Sequence, residues 1–237
     1  MDSFSSVCND LQQRVCEANL ALYSSGLIVS TFGNVSEKII FDGHVLVGIK
    51  PSGVSYARLV ARDIVLLDEL GNKIQGDMRP STDTPTHLVL YQSLPKVFGV
   101  THTHSPFASA WAQAELDIPA LGTTHADYAK YSVPCTEALT ADAIGDNYEA
   151  NTGIAIIDRL KALGNEDSTM VLVRNHGPFT MGKNSMDAVE NAVLLEEIAK
   201  IAYYTRTLNP NIQSINRVLH NKHYDRKHGI KKYYGQN

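Results

Sequence analysis

Apolar positions recur at helical spacing from the start of the chain. Val7, Leu11, Val15, Ala18 and Leu22 lie three or four residues apart, which predicts one face of an amphipathic helix. It should end near Ser24-Ser25-Gly26, with Gly26 just past the last turn. Gly33-Asn34-Val35-Ser36 then reads as a turn. Two short runs, Ile39-Ile40-Phe41 and Val45-Leu46-Val47-Gly48-Ile49, flank Asp42-Gly43 and predict a hairpin. Ile64-Val65-Leu66-Leu67 is a further strand, turned back at Gly71-Asn72. The first third is therefore one helix followed by antiparallel strands.

After that, helices and strands alternate. Thr84 and Pro85 suit the N-cap and N1 positions of a helix that runs through Leu90 and Tyr91 and stops before Pro95. A strand through Val97, Phe98, Val100 and Thr101 follows, and Ser105-Pro106 opens a helix from Pro106 to Ala114. Residues 117–150 show no clear period and read as a long connection of the kind that often carries function. Met170–Val173 is a buried-type strand. Asn184-Ser185 caps a long helix with Val189, Val193, Leu194 and Ile198 among its apolar members. With no linker or repeat, the pattern predicts one α/β domain over residues 1–237 with a mixed, partly antiparallel sheet.

Composition narrows the class. An apolar fraction of 43% is ordinary for a globular chain of 237 residues. A net charge of −4 gives no general attraction to nucleic acid or membrane. Three cysteines (Cys8, Cys16, Cys135) argue against a disulfide framework. Met1 to Ser6 lack the basic and apolar regions of a secretion signal. A cytoplasmic protein is expected.

The chemistry centres on Thr101-His102-Thr103-His104-Ser105. Alternate residues of a strand share a face, so His102 and His104 should point the same way, roughly 6–7 Å apart. His176 stands after the strand at 170–173, just before Gly177-Pro178. Three histidines at the carboxyl ends of neighbouring strands would make a three-imidazole metal site with an open position. Asp83 is either a fourth ligand or a simple helix-start carboxylate. Lys50-Pro51-Ser52-Gly53 and Ser81-Thr82 are hydroxyl- and glycine-bearing turns that, with Asn34, suit an anionic ligand. Asp127, in Thr123-Thr124-His125-Ala126-Asp127-Tyr128, is a candidate general acid/base. The segment from Leu219 to Asn237 is basic within an acidic chain; it reads as a solvated helix and tail, a nucleic-acid arm, or a tail that packs into an anionic site.

These stretches resemble the class II aldolase/epimerase family along essentially the whole chain. The matching motifs include EANLAL (17–22), GNVS (33–36), KPSGV (50–54), STDTPTH (81–87), THTHS (101–105), HGPF (176–179) and KHYDRKHG (222–229). GTTHADY (122–128) and YYGQ (233–236) are similar to the 4-epimerase branch in particular. The resemblance implies a single-domain, three-layer α/β/α fold with a central mixed, largely antiparallel sheet, assembled as a homotetramer with active sites between subunits. It implies zinc or another divalent metal, one per subunit, on His102, His104, His176 and Asp83. Gly33, Asn34, Lys50, Ser52, Gly53, Ser81 and Thr82 match substrate and phosphate contacts, and His223 and Arg226 match residues near the phosphate end. Thr82 replaces the usual Ser but keeps the hydroxyl. Asp127 and Tyr234 match the two acid/base groups, with Tyr234 arriving from the adjacent subunit. The implied reaction interconverts L-ribulose 5-phosphate and D-xylulose 5-phosphate by cleaving and re-forming C3–C4, linking pentose or ascorbate breakdown to the pentose phosphate pathway. The alternatives are an aldolase of a fuculose- or rhamnulose-type phosphate, where Glu normally stands in place of Asp83, and a non-catalytic aldolase-like binding module.

Overall fold

The computed structural model describes residues 3–230 and 232–234. The opening helix, α1 (Phe4–Ser24), turns its Leu11, Val15, Ala18 and Leu22 inward, and Gly26 follows it at φ +78°. β1 (Asn34–Phe41) and β2 (His44–Ile49) form the expected hairpin. Asp42 and Gly43 both take positive φ, 49° and 79°, the geometry whose twist matches two antiparallel strands. β3 (Val65–Leu67) and β4 (Lys73–Gln75) continue the meander. The expected turn at 33–36 shrinks to Gly33, because Asn34, Val35 and Ser36 already pair with β5 (Gly99–His102).

Between these strands lies α2 (Thr84–Ser93), with Asp83 rather than Thr84 at its N-cap position. α3 (Pro106–Gln113) starts after Ser105 as expected. The connection at 117–150 is more ordered than its polarity suggests. It contains α4 (Thr123–Ala126) and α5 (Ala141–Gly145), and it runs into α6 (Tyr148–Ala162), a helix the pattern does not reveal. α6 buries Thr152, Ile156, Ile157 and Leu160, a helical face that begins inside the polar stretch. β6 (Met170–Val173) is as expected, but Gly177–Gly182 forms a further strand, β7, where the sequence suggests only a turn. α7 (Ser185–Leu208) is capped by the Asn184 side chain; its inward stripe is Ala188, Val189, Ala192, Leu195 and Ala199, while Val193 is exposed. α8 (Arg217–His228) ends the described fold.

The sheet order is β4-β3-β2-β1-β5-β7-β6, and every pair of strands is antiparallel. The parallel contribution is the bridge of Cys135 to Leu172. β7 therefore separates the two histidine-bearing strands, which were expected to be neighbours. α2 and α6 cover one face through Leu88, Leu90, Ile156, Leu160, Val100 and Phe179. α1, α3 and α7 cover the other through Leu11, Val15, Leu46, Trp111, Leu172 and Leu195. Each layer buries an apolar stripe against the sheet, which gives three layers around it. Among the described residues, no helix is long and apolar enough to cross a membrane.

One buried carboxylate ties the α1/α7 layer to the sheet. Glu37 of β1 accepts from Arg14 Nε at 2.8 Å and from Ser185 N–H at 3.0 Å, and also from the Ser185 hydroxyl. Glu37→Ala would leave a buried N–H and hydroxyl unpaired, so urea denaturation should show a loss of about 2–3 kcal/mol. Lys96 and Asp167 pair at 2.9 Å with both side chains more than 80% exposed. Lys96→Ala should change stability by less than about 0.5 kcal/mol. Equal effects would contradict the anchoring role of Glu37.

Candidate active site

β5 stops at His102, the last residue that pairs with both neighbours. Thr103 and His104 leave the sheet, so the simple strand spacing does not apply. The ring centroids of His102 and His104 are 4.8 Å apart and their Nε2 atoms 3.1 Å. His176, in the β6–β7 turn, brings its ring to 4.7 Å from His102 and 5.1 Å from His104. One nitrogen from each of the three lies within 4.8 Å of the others. Two ligands of one tetrahedral ion at ~2.0–2.1 Å stand about 3.3 Å apart, so the two Nε2 atoms fit a shared zinc-type ion. His102 Nδ1 faces the Pro178 carbonyl at 2.9 Å. A carbonyl only accepts, so that nitrogen carries the proton and Nε2 keeps its lone pair. Burial pushes the His102 pKa down to about 3 and also lowers those of His104 and His176. Neutral imidazoles are the form that binds a metal.

A row across three strands supports this cluster. Asn34 pairs with His102, and His102 with Phe179. The Phe179 ring stacks on His102 with centroids 4.2 Å apart. Asn34 Nδ2 donates to Asp83 Oδ2 at 2.6 Å and to Ser81 Oγ at 3.0 Å. Burial raises the Asp83 pKa, but attraction from His102 and His87 and the Asn34 bond outweigh it and hold the carboxyl below its usual value. The cluster opens to solvent on the side of His104, which is exposed, while His102 is buried.

The two expected anion-binding loops are joined. Ser81 N–H donates to the Lys50 carbonyl at 3.0 Å, Ser52 N–H donates to the Arg79 carbonyl at 3.0 Å, and Pro51 bridges Pro80. Ser52, Gly53 and Thr82 are exposed on them and Ser81 is buried. Lys50 is buried, with Nζ 4.6 Å from the Tyr56 ring, and burial lowers its pKa to about 8. The Tyr56 hydroxyl donates to the Gly33 carbonyl at 2.7 Å. Gly33 has φ +83°, and a Cβ there would come within 2.8 Å of the His102 carbonyl, so only glycine lets the chain pass this close.

Asp127, His223, Arg226 and Tyr234 form a second group. Asp127 takes an ion pair from Arg226 at 2.6 Å and a bond from His223 at 3.0 Å. Arg226 Cζ lies 4.7 Å from the Tyr234 ring, and Tyr234 N–H donates to the Arg226 carbonyl at 3.1 Å. Within one chain, Tyr234 is thus linked to Asp127 through Arg226, which contacts both. Gly235 and Gln236 of the YYGQ motif lie outside the described residues.

This second group forms a network of its own. Residues 133–136 run alongside β6 in the same direction, with Leu172 N–H donating to the Pro134 carbonyl and Thr136 N–H to the Leu172 carbonyl. Lys130 and Tyr131, just upstream, share a cavity wall with residues 164–169, which precede β6. His176 follows β6. β6, four residues, is itself roughly 13 Å long. Among the described residues, no hydrogen bond or ion pair joins the groups.

Residues outside the expected set also touch the cluster. The Tyr148 hydroxyl is 3.3 Å from His176 Nδ1, and the Phe32 ring is 5.6 Å from that of His104. His87 is wholly buried, bonds Ser36 Oγ through Nδ1 at 2.7 Å, and has its pKa lowered by burial to about 4. Tyr148 opens α6, the helix hidden in the polar stretch, so no pattern marks it.

Residues 13–203 match the family described as Class II Aldolase and Adducin N-terminal domain. The fold is similar to an L-fuculose 1-phosphate aldolase, with 24% identity over 94% of this chain and 97% of that one and a TM-score of 0.74. An L-fuculose-1-phosphate aldolase from Thermus thermophilus has 24% identity over 85% and 97%, with a TM-score of 0.66. One from Glaciozyma antarctica has 16% identity over 94% and 84%, with a TM-score of 0.71. At these identities the likeness speaks to fold. With four-fifths of its length matched, the chain belongs to the class II aldolase family.

Proposed function

We propose that this chain is a metal-dependent L-ribulose-5-phosphate 4-epimerase that interconverts L-ribulose 5-phosphate and D-xylulose 5-phosphate. The observation that carries the reading is the convergence of His102, His104 and His176 beside Asp83, with a separate acid/base pair, Asp127 and Tyr234, on the same chain. A divalent cation on the three imidazoles would supply Lewis-acid polarisation of the substrate carbonyl. Asn34 orients Asp83 toward that centre. The loops of Ser52, Gly53, Ser81 and Thr82, with Lys50 behind them, hold the phosphate from the metal side, and His223 and Arg226 approach it from the side of Asp127.

The C4 proton of a 2-ketose phosphate is not acidic, so the route is cleavage of C3–C4, rotation of the two-carbon aldehyde, and re-formation of the bond on its other face. Each epimer then needs its own group to move the C4 hydroxyl proton. Asp127 and Tyr234 fill these two roles. Among the described residues no hydrogen bond or ion pair joins these two residues to the histidines of their own chain, which supports a site that combines the metal centre of one subunit with the Asp127–Tyr234 group of the next. The assembly is a homotetramer with active sites between subunits.

The second reading, an aldolase of the L-fuculose 1-phosphate type, draws on the names of the similar structures. Incubation with each sugar phosphate separates the two. Formation of D-xylulose 5-phosphate from L-ribulose 5-phosphate, with no net cleavage, is expected. Release of dihydroxyacetone phosphate from L-fuculose 1-phosphate, with no pentulose turnover, would reverse the assignment.

Metal content is the second check. Purified protein should carry about one divalent ion per chain. His102→Ala should lose both ion and activity, and full activity after complete chelation would reject the mechanism.

The third check is complementation. Mixing Asp127→Asn with His102→Ala subunits should restore activity at about a quarter of sites, since random pairing joins two intact halves that often. Mixing Asp127→Asn with Tyr234→Phe should restore nothing, because each donor end keeps one defect. The opposite pattern would place Asp127 and Tyr234 on different subunits.

A further inference from the structure

Both oxygens of the Asp127 carboxylate are already engaged. Oδ1 accepts from His223 Nδ1 at 3.0 Å and Arg226 Nε at 2.9 Å, and Oδ2 accepts from Arg226 Nη2 at 2.6 Å. The side chains are largely shielded, at 13% exposure for Asp127, 19% for His223 and 23% for Arg226. A carboxylate gripped by a guanidinium fork is a poor proton acceptor. Burial raises the Asp127 pKa, but the Arg226 and His223 bonds outweigh it and hold it below its usual value. In this arrangement Asp127 is masked.

The grip comes entirely from the C-terminal segment. His220 is the one residue of α8 that is buried, so the helix has no apolar stripe to seat it. It is held by Arg226 and His223 on the Asp127 side chain and by His228 Nε2 on the Asp127 carbonyl, at 2.9 Å. Lys227 adds a contact with the Tyr128 ring, 3.7 Å from its centroid. The donors facing the carboxylate, a planar fork beside an imidazole, are those that recognise a phosphate monoester. Asp127 occupies them as an internal anion.

We propose that Asp127 and the phosphate of an incoming substrate compete for Arg226 and His223, so that phosphate binding takes these donors and frees the Asp127 carboxylate. The proposal rests on Asp127 acting in proton transfer. It makes the acid/base group available only when a phosphorylated ligand is present, and an unphosphorylated sugar leaves it masked.

The test is calorimetric titration of inorganic phosphate into the full-length, metal-loaded protein. The wild type is compared with Asp127→Asn, Arg226→Gln and the double variant. An internal ligand that fills a site nine-tenths of the time weakens an external one about tenfold. Asp127→Asn should therefore bind phosphate about tenfold more tightly, although it removes a proton-transfer group. In the Arg226→Gln background the same change should bring no comparable gain. Phosphate held by the Ser52 and Ser81 loops contributes equally within each pair and cancels. Unchanged or weaker binding by Asp127→Asn overturns the competition. A gain of equal size without Arg226 also overturns it, because that gain would come from net charge alone. Where Asp127→Asn does not fold, Asp127→Ser carries the same comparison. No turnover is measured, so this test can fail while the epimerase assay succeeds, and the reverse.

Discussion

The register of β1 against β5 is the constraint on which the candidate site depends. Asn34 stands opposite His102, and His102 opposite Phe179. Cross-strand partners share a face, so the three side chains form one row beneath the N-terminus of α2. That row lets Asn34 reach Asp83 and Ser81 while Phe179 supports the imidazole. A slip of β1 by one residue would turn Asn34 to the opposite face and leave His102 with Phe179 alone. The hydrophobic rows beside it resist such a slip. Val35 is buried with α1 and α7, and Val100 with α2 and α6, so a slip would misplace apolar groups on both faces at once.

The same face of β1 carries Asn34, Ser36 and Lys38, all buried. Each is matched from α2 or its start: Asn34 by Ser81 and Asp83, Ser36 by His87 and Tyr91, and Lys38 by the Tyr91 carbonyl at 3.1 Å. A polar column inside a sheet sandwich is costly unless paired, and pairing fixes one alignment of helix on strand. The position of Asp83 relative to His102 is thus set by hydrogen bonds as well as by packing. The imidazoles beside it are neutral because burial disfavours their charged form. The result is a set of uncharged nitrogen lone pairs next to one carboxylate, an environment that favours a cation.

Much of this was legible in the chain. Val7 to Leu22 and the Asp42-Gly43 hairpin announced their elements by period and turn chemistry, and Ser105-Pro106 marked its helix start. His102, His104 and His176 could be grouped because each follows a strand-forming run. What the chain concealed has physical causes. β7 is made of Gly177-Pro178-Phe179-Thr180-Met181-Gly182, and its glycines and proline read as a turn although all six residues are buried in the sheet. Tertiary pairing overrides local preference there. The close approach of His102 to His104 arises where the backbone leaves the strand, which strand spacing cannot anticipate. Tyr148 and α6 were hidden because their apolar face starts inside a polar stretch. The bonds from Arg226 and His223 to Asp127 span 96–99 residues, beyond the reach of local patterning.

The separation of the candidate groups into two networks sets a condition on the proposed chemistry. His102 and His104 stand at the end of β5 and His176 after β6, while Asp127 is held by residues of α8. Among the described residues, no hydrogen bond or ion pair runs from α8 to the three histidines. Under the proposed reaction the two groups would meet between two copies of the chain. The surfaces that met would be unlike, the metal centre of one against the acid/base group of the other, and such a contact is head-to-tail. Repeated contacts of that kind either close into a ring or grow into a filament. A ring leaves every subunit with one metal end used and one acid/base end used, which is how a cyclic tetramer would give each chain one complete site.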